Sequence, residues 1–160
     1  MVTEADILQA LHDVKDPEIP TISVVELGII THIKVENNAV EIMMTPTFSG
    51  CPAIKILETY VRERIEKMGV ESVVVKTTFD TPWNTNRISE SGRAALLKHG
   101  LAPPPKHDGY FELDVLSDVA CPFCSSRNTT FNSPFGATLC RSIHYCKNCL
   151  QSFEQFKPVV

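Results

Sequence analysis

The pattern of apolar and polar positions changes period several times in the first half of the chain. It opens with a predicted helix, capped by Thr3 and ended at Asp16-Pro17, with one apolar face. Two runs of alternating apolar residues follow, at 29–35 and 39–45. Asn37-Asn38, between the two runs, tolerates the positive φ angles of a tight turn. The two runs therefore predict a β-hairpin.

A second helix and a third strand are predicted after the hairpin. The helix is indicated by apolar residues that recur at helical spacing, namely Ile54, Leu57, Val61, Ile65 and Met68. The strand is indicated by alternating residues, namely Val73, Val75, Thr77 and Phe79. The order helix–strand–strand–helix–strand predicts an α+β fold, a two-layer α/β sandwich. If the strands on either side of the second helix are parallel, their crossover should be right-handed.

Cys51 lies in the segment that joins the hairpin to the second helix. Pro52 suits the first helical position, which would place Cys51 at the N-cap. Unpaired N–H groups and the helix dipole would favour a thiolate there, and a thiolate is a better nucleophile or metal ligand than a thiol. The alternative is a small buried cysteine that only fills the start of the helix.

A short helix is predicted over 89–98, closed by Gly100, and a proline-rich stretch follows it. Extended proline-rich segments make stiff linkers. The sequence therefore predicts a domain over residues 1–101, a linker over 102–118 and a small second domain over 119–160.

The second domain contains two Cys-x-x-Cys pairs, separated by 21 residues. The four predicted zinc ligands are Cys121, Cys124, Cys146 and Cys149. Such a site has no open coordination position, so the zinc would be structural and the domain a zinc ribbon. Cys140 and His144 are competing ligands, but the regular pairs are favoured; His144 is expected on the strand surface.

Composition limits the classes of partner and compartment. No apolar run approaches the ~18 residues of a membrane span, and the N-terminus lacks the basic and apolar blocks of a signal peptide. We therefore expect a cytoplasmic protein with reduced cysteines. The net charge of −4 makes nucleic acid an unlikely main partner. In the ribbon, four basic residues face one acidic residue, and four thiolates on Zn²⁺ would cancel most of that excess.

Several motifs resemble known families. The segments Asp16-Pro17-Glu18-Ile19-Pro20, Glu26-Leu27-Gly28-Ile29 and Pro46-Thr47-Phe48-Ser49-Gly50-Cys51-Pro52 resemble the iron–sulfur assembly domain shared by cytosolic targeting factors and bacterial SUF-associated proteins. Residues 1–100 follow that pattern. Further motifs are similar to the D subunits of phenylacetyl-CoA monooxygenase (epoxidase) systems, namely Pro82-Trp83-Asn84-Thr85, Ile88-Ser89-Glu90-Ser91-Gly92-Arg93, His99-Gly100-Leu101-Ala102-Pro103-Pro104, Phe135-Gly136-Ala137-Thr138-Leu139-Cys140 and Phe153-Glu154-Gln155-Phe156-Lys157. Asn86 departs from this pattern, which has Asp.

The resemblance implies an accessory, non-catalytic component of aerobic phenylacetate degradation. Such a protein would assist iron or iron–sulfur cluster assembly in the oxygenase and reductase subunits. Cys51 would contact the iron or cluster, with Asp16 and Glu18 as nearby acids. One thiolate per chain is too few to hold a cluster, so a homodimer or a partner protein would have to supply the other ligands. The alternatives are a purely structural subunit of the oxygenase complex and a nucleic-acid-binding zinc-ribbon protein.

Overall fold

The computed structural model describes residues 2–110 and 116–160, and the chain divides into two compact units. The N-terminal unit consists of the residues up to Trp83 together with Arg87–Gly92. The C-terminal unit consists of Asn84–Asn86 and Arg93–Val160. No helix within the described residues is both long enough and apolar enough to cross a bilayer.

The N-terminal unit is a three-stranded sheet covered by two helices. Its elements are α1 (Glu4–Leu11), β1 (Ile30–Glu36), β2 (Ala39–Met44), α2 (Ile54–Glu66) and β3 (Ser72–Thr77). The sheet order is β1-β2-β3, with β1 antiparallel and β3 parallel to β2. Helix α1 contacts β1 and α2, and α2 contacts β3, so the helices share one layer. The predicted α+β, two-layer sandwich is confirmed.

The first helix is capped as predicted but is shorter than expected. The Thr3 hydroxyl accepts a hydrogen bond from the Asp6 N–H, and the Asp6 carboxylate accepts from the Thr3 N–H, which forms a capping box. The helix ends at Leu11, before the predicted end at residue 16, because the chain turns there and Lys15 bridges to Ser23.

The hairpin turn and the core also follow the predicted pattern. Asn37 and Asn38 both have positive φ, 47° and 63°. The core between sheet and helices is formed by alternating residues of β2 and one face of α2, namely Val40, Ile42, Met44, Leu57, Val61 and Ile65, all at most 2% exposed. Strand β3 ends at Thr77, so Phe79 lies beyond the strand and is exposed.

The C-terminal unit is organised around a four-stranded sheet. The remaining elements are a short 3₁₀-helix (Thr85–Arg87), α3 (Glu90–Lys98), β4 (Leu101–Ala102), β5 (Thr129–Ser133), β6 (Arg141–Cys146) and β7 (Ser152–Phe156). The sheet order is β4-β7-β6-β5. Strands β5, β6 and β7 form an antiparallel ribbon, and β4 adds to β7 in parallel.

The division of the chain differs from the predicted boundary at 101/102. Ala102 pairs with Gln155 in the sheet, and the Asn86 side chain bonds to both the N–H and the carbonyl of His107. Arg93 also donates to the carbonyl of Pro104. The first part of the predicted 102–118 linker is therefore built into the C-terminal unit; residues 111–115 of that linker lie outside the described residues.

Candidate functional site

The structure brings together the four cysteines that the sequence predicts as zinc ligands. Their Sγ atoms all lie within 4.8 Å of one another. Cys121 Sγ lies 3.7 Å from Cys149 Sγ, and Cys124 Sγ lies 3.6 Å from Cys146 Sγ. Ligands at the Zn–S distance of about 2.3 Å on a tetrahedron are about 3.8 Å apart, so the sulfur positions fit a Zn²⁺ ion.

The two Cys-x-x-Cys turns have the same backbone geometry. The residue after the second cysteine of each turn, Ser125 or Leu150, has a positive φ, 61° and 59° respectively. The N–H of Cys121 donates to Ser126 O, and that of Cys146 to Gln151 O, each at 2.9 Å. Because the turns match, each directs its two sulfur atoms towards the same point.

The thiols of this cluster differ in their electrostatic surroundings. The backbone N–H of Ser126 and the side-chain amide of Asn148 lower the pKa of Cys124 to about 6. Burial raises the pKa of Cys149 to about 12. A divalent cation would supply the positive charge that keeps all four sulfurs ionised. With all four positions taken by protein, such an ion holds the turns together and has no site for substrate.

Cys140 lies outside this cluster, in the loop before β6. Its Sγ is 3.0 Å from the Thr138 hydroxyl. The prediction that His144 lies on the strand surface is wrong. Its side chain is fully buried, 2.9 Å from the Ser142 hydroxyl, and burial lowers its pKa, which favours the neutral ring. Its position on β6 places it on the inward face with Cys146, where it stacks against Phe153.

Cys51 is not the N-cap of α2, contrary to the prediction. The helix begins at Ile54 with Ala53 as N-cap, and residues 51–53 form a preceding turn closed by the Ile54 N–H and the Cys51 carbonyl. Pro52 fits such a turn as well as it fits a first helical position. Because the dipole effect falls off within the first turn, the helix gives Cys51 less electrostatic help than predicted. The Cys51 side chain is half-buried and follows the exposed Gly50.

The two acids predicted beside Cys51 lie in the loop after α1. Asp16 Oδ1 accepts hydrogen bonds from the N–H groups of Glu18 and Ile19, at 2.8 and 3.0 Å. This carboxylate therefore organises its own loop. The Glu18 side chain is exposed. A role for either acid as an iron contact stays a prediction.

The Glu26-Leu27-Gly28 motif holds the loop that follows β3. The indole N–H of Trp83 donates to Leu27 O, and Arg87 Nε donates to Gly28 O, both at 2.9 Å. The Trp83 side chain is 5% exposed and is therefore part of the core. The backbone carbonyls of the motif thus have a structural role, which the sequence of the motif does not reveal.

Glu26 is also a partly buried, hydrogen-bonded carboxylate. Its Oε2 accepts from the Ser23 N–H at 2.9 Å and lies 3.7 Å from Lys15 Nζ. Burial tends to raise the pKa of Glu26, but the hydrogen bonds with Ser23 and the Lys15 charge outweigh it and hold the pKa below the usual 4.5.

Two groups of contacts are not evident from the sequence. The Asn148 side-chain amide donates a hydrogen bond to Cys124 Sγ. The only indication of this in the sequence is that a polar residue lies inside the second Cys-x-x-Cys turn. Glu58 is a carboxylate with 13% side-chain exposure that accepts hydrogen bonds from Thr77 and Lys55. Its position beside Leu57 on α2 was the only hint of burial.

Comparisons with known proteins assign the two parts of the chain to two different domain families. Residues 4–76 match the model of the iron–sulfur cluster assembly protein family, and residues 106–157 match the PaaD zinc beta ribbon domain. An Fe-S protein maturation auxiliary factor of Porphyromonas gingivalis is 38% identical over 59% of this chain and 90% of its own length. The DUF59 domain of Bacillus anthracis superposes with a TM-score of 0.54 at 29% identity, covering 58% of this chain and 90% of that one.

One relative aligns with both units of the chain. A protein of Escherichia coli K12, named as the D subunit of 1,2-phenylacetyl-CoA epoxidase, is 34% identical over 96% of this chain and 92% of its own length. The resemblance seen in the sequence motifs is thereby confirmed. The chain joins an iron–sulfur assembly-type unit to a four-cysteine ribbon, and it aligns with this relative along almost its whole length. It therefore belongs to the family of phenylacetyl-CoA epoxidase D subunits.

Proposed function

We propose that this chain is a non-catalytic maturation subunit of a phenylacetyl-CoA epoxidase, which assists iron or iron–sulfur cluster assembly in the oxygenase or reductase subunits. One observation carries the proposal. A unit similar to Fe-S protein maturation factors is part of a chain that aligns, along almost its whole length, with a protein named as an epoxidase subunit. The maturation unit would thus be part of a chain that serves a single enzyme, the epoxidase.

Cys51 is the residue that we propose to contact the iron or iron–sulfur cluster that is being delivered, which we call the cargo. It lies in the turn between β2 and α2, after the exposed residues Ser49 and Gly50 and before the exposed Pro52. A glycine beside the thiol leaves room for another chain to approach. One thiolate supplies one ligand, so the remaining ligands of iron or a cluster would come from the client or from a second copy of this chain.

The four-cysteine centre has a different role in this proposal. Cys121, Cys124, Cys146 and Cys149 would hold a resident Zn²⁺ that stabilises the ribbon. The cargo chemistry and the structural metal thus belong to different cysteines. A variant of one set should leave the other set's metal in place.

The test is co-expression with the epoxidase subunits of the same organism. Iron and acid-labile sulfide are measured in the purified oxygenase and reductase after anaerobic isolation. With the wild-type chain both subunits should be filled, whereas Cys51→Ser should lower their iron or sulfide content at unchanged zinc content of this chain. Cys140→Ser, a second half-buried cysteine outside the cluster, is the matched control and should behave as wild type. Full iron and sulfide content with Cys51→Ser would refute the assignment.

The two alternatives make different predictions. A purely structural subunit would remain in stable stoichiometry with the oxygenase and would not need Cys51. The nucleic-acid alternative is weakened by the ribbon's charges, because Arg141 pairs with Glu154 and Arg127 pairs with Asp118. Two of the four basic residues of the ribbon are thus neutralised by carboxylates, which leaves little charge to bind phosphates.

A further inference from the structure

The loop between β5 and β6, residues 134–140, exposes two large apolar side chains. Phe135 is 61% exposed and Leu139 is 57% exposed. The same stretch is one of the motifs that carry the family resemblance, yet neither the metal centre nor Cys51 accounts for it. These residues are named the 134–140 loop below.

The loop is held in one conformation by a carboxylate clamp. Glu154 Oε1 accepts from the Ala137 N–H at 2.7 Å, and Oε2 accepts from Arg141 Nη1 at 2.9 Å. Arg141 is 8% exposed and the Glu154 side chain is 28% exposed, so this ion pair is partly buried. A Cβ at Gly136 would lie 2.4 Å from Glu154 Oε1, so only glycine lets the clamp close. The Gly136 N–H also donates to Arg141 O at 2.9 Å.

This arrangement costs free energy that folding alone does not require. A partly buried ion pair is expensive to desolvate, and large apolar side chains gain nothing from facing water. Burying Phe135 and Leu139 would stabilise the unit more than presenting them. Rigid, exposed aromatic and aliphatic side chains are, however, typical anchors of protein interfaces, because a loop fixed before binding loses little entropy on binding.

The charge around the loop indicates what it would bind. Lys157 Nζ lies 5.3 Å from the centroid of the Phe135 ring and donates to Pro134 O at 3.0 Å. Within the described part of the chain Lys157 forms no ion pair, whereas the positive charge of Arg141 is matched by Glu154. The loop thus combines two apolar anchors with one unmatched positive charge. A complementary surface is an apolar pocket with carboxylates at its rim.

We propose that the 134–140 loop docks this chain on the oxygenase or reductase subunit of the epoxidase, in an apolar pocket with an acidic rim. The inference rests on the proposed function for the identity of the partner, and it adds the surface by which that partner is recognised. The docking residues thus belong to the C-terminal unit, whereas Cys51 belongs to the N-terminal unit.

The test is a binding measurement between the purified chain, with its zinc, and the purified oxygenase and reductase subunits of the same organism. The double variant Phe135→Ala/Leu139→Ser should weaken binding to the recognised subunit by about 30-fold or more, as for the loss of interface anchors. Its zinc content and circular dichroism should be unchanged because both side chains face water. Leu97→Ser, which removes an apolar side chain that is 48% exposed on α3 of the same unit, is the control and should bind as wild type.

Two further variants separate the loop's shape and charge from its apolar area. Gly136→Ala keeps both anchors but opens the clamp, and should weaken binding by about 10-fold. Lys157→Gln should reduce the salt dependence of binding, because it removes the charge that faces the acidic rim. Loss of binding by Leu97→Ser to the same degree as by the double variant would show non-specific apolar binding and overturn the proposal.

The outcomes also separate this inference from the proposed function. If the double variant binds both subunits as tightly as wild type, or if wild type binds neither, the docking surface is refuted, and the Cys51→Ser co-expression result still decides the maturation role. If the double variant loses binding while Cys51→Ser leaves client iron and sulfide unchanged, the docking surface stands and the maturation role falls.

Discussion

Gly28 occupies a turn in which both the backbone conformation and a neighbouring segment exclude a side chain. Its φ is +73°, and a Cβ built there would lie 2.4 Å from the carbonyl oxygen of Arg87 and 2.8 Å from its carbonyl carbon. An L-residue in the left-handed region costs roughly 1–2 kcal/mol, and overpacking typically costs about 1–3 kcal/mol. We predict that Gly28→Ala lowers the free energy of unfolding of the N-terminal unit by about 2–5 kcal/mol.

Gly69 provides a matched control for the conformational part of this cost. Its φ is +77°, but nothing lies within 4 Å of a Cβ built there. Gly69→Ala should therefore cost only the roughly 1–2 kcal/mol of the left-handed conformation. The difference between the two variants, about 1–3 kcal/mol, measures the contact with Arg87.

The assay is urea unfolding followed by the fluorescence of Trp83. This is the single tryptophan, it belongs to the N-terminal unit, and its indole N–H bonds to the residue before Gly28. Natural domains are stable by about 5–15 kcal/mol, so a loss of about 2–5 kcal/mol should give a large shift of the urea midpoint. Equal free energies of unfolding for Gly28→Ala and Gly69→Ala, at equal m-values, would refute the close approach at Arg87.

Three further predictions concern a loop contact, a carboxylate and the metal. Asn86→Asp should destabilise the C-terminal unit by about 1 kcal/mol, seen as faster zinc release to a chelator, because aspartate cannot donate to the His107 carbonyl. Glu26→Gln should make the urea midpoint fall less steeply as the pH is lowered. Because the pKa of Glu26 is lowered in the folded state, its carboxylate contributes fully to stability above about pH 4.5, and this contribution is lost as the pH falls through the lowered pKa. The purified chain should carry about one zinc, which Cys124→Ser loses and Cys140→Ser keeps, by elemental analysis.

Controls make these three results decisive. Asn84→Asp is the control for the first, because Asn84 Oδ1 only accepts, from the Asn86 N–H, and aspartate can do the same. For the second, a Glu26→Gln profile that still falls as steeply as wild type between about pH 5 and 3 would assign the acid loss to other carboxylates. For the third, loss of zinc by Cys140→Ser would overturn the ligand assignment.

The elements that the sequence predicts best are those fixed by local chemistry. The hairpin follows from period-two apolar residues around Asn37-Asn38, since a turn with two positive φ angles needs such residues. The four-cysteine cluster follows from the spacing within each pair, because one tight turn presents both thiolates. Neither inference required knowledge of distant contacts.

The features that the sequence does not reveal depend on contacts between distant segments. A two-residue strand such as Leu101–Ala102 has no detectable period, and its pairing with β7 is visible only in three dimensions. The burial of His144 depends on which face of β6 packs inward. From the sequence alone, the face with residues 143 and 145 could equally have been the inward one. The start of α2 was misplaced because Pro52 suits a turn and a helix start equally well.

The asparagine at position 86 attaches the proline-rich segment through two hydrogen bonds. Its amide donates to the His107 carbonyl and accepts from the His107 N–H, as a neighbouring strand would. An aspartate at this position could make only the second of these bonds. An asparagine therefore holds the proline-rich segment more firmly than an aspartate would.

The pairing of β4 with β7 has a consequence for how the chain is made on the ribosome. Leu101 lies opposite Glu154, and the Val159 carbonyl accepts from the Thr85 N–H at 3.0 Å, so early segments of the C-terminal unit pair only with segments that are synthesised much later. At roughly 5–20 residues per second, the apolar Leu101–Ala102 strand stays unpaired for several seconds while translation continues. The N-terminal sandwich has no such dependence, since β1, β2 and β3 all precede residue 78. Maturation of this chain should therefore proceed in order, with the Cys51 unit complete while the ribbon is still unfinished and its cysteines exposed to whatever metal the cell offers.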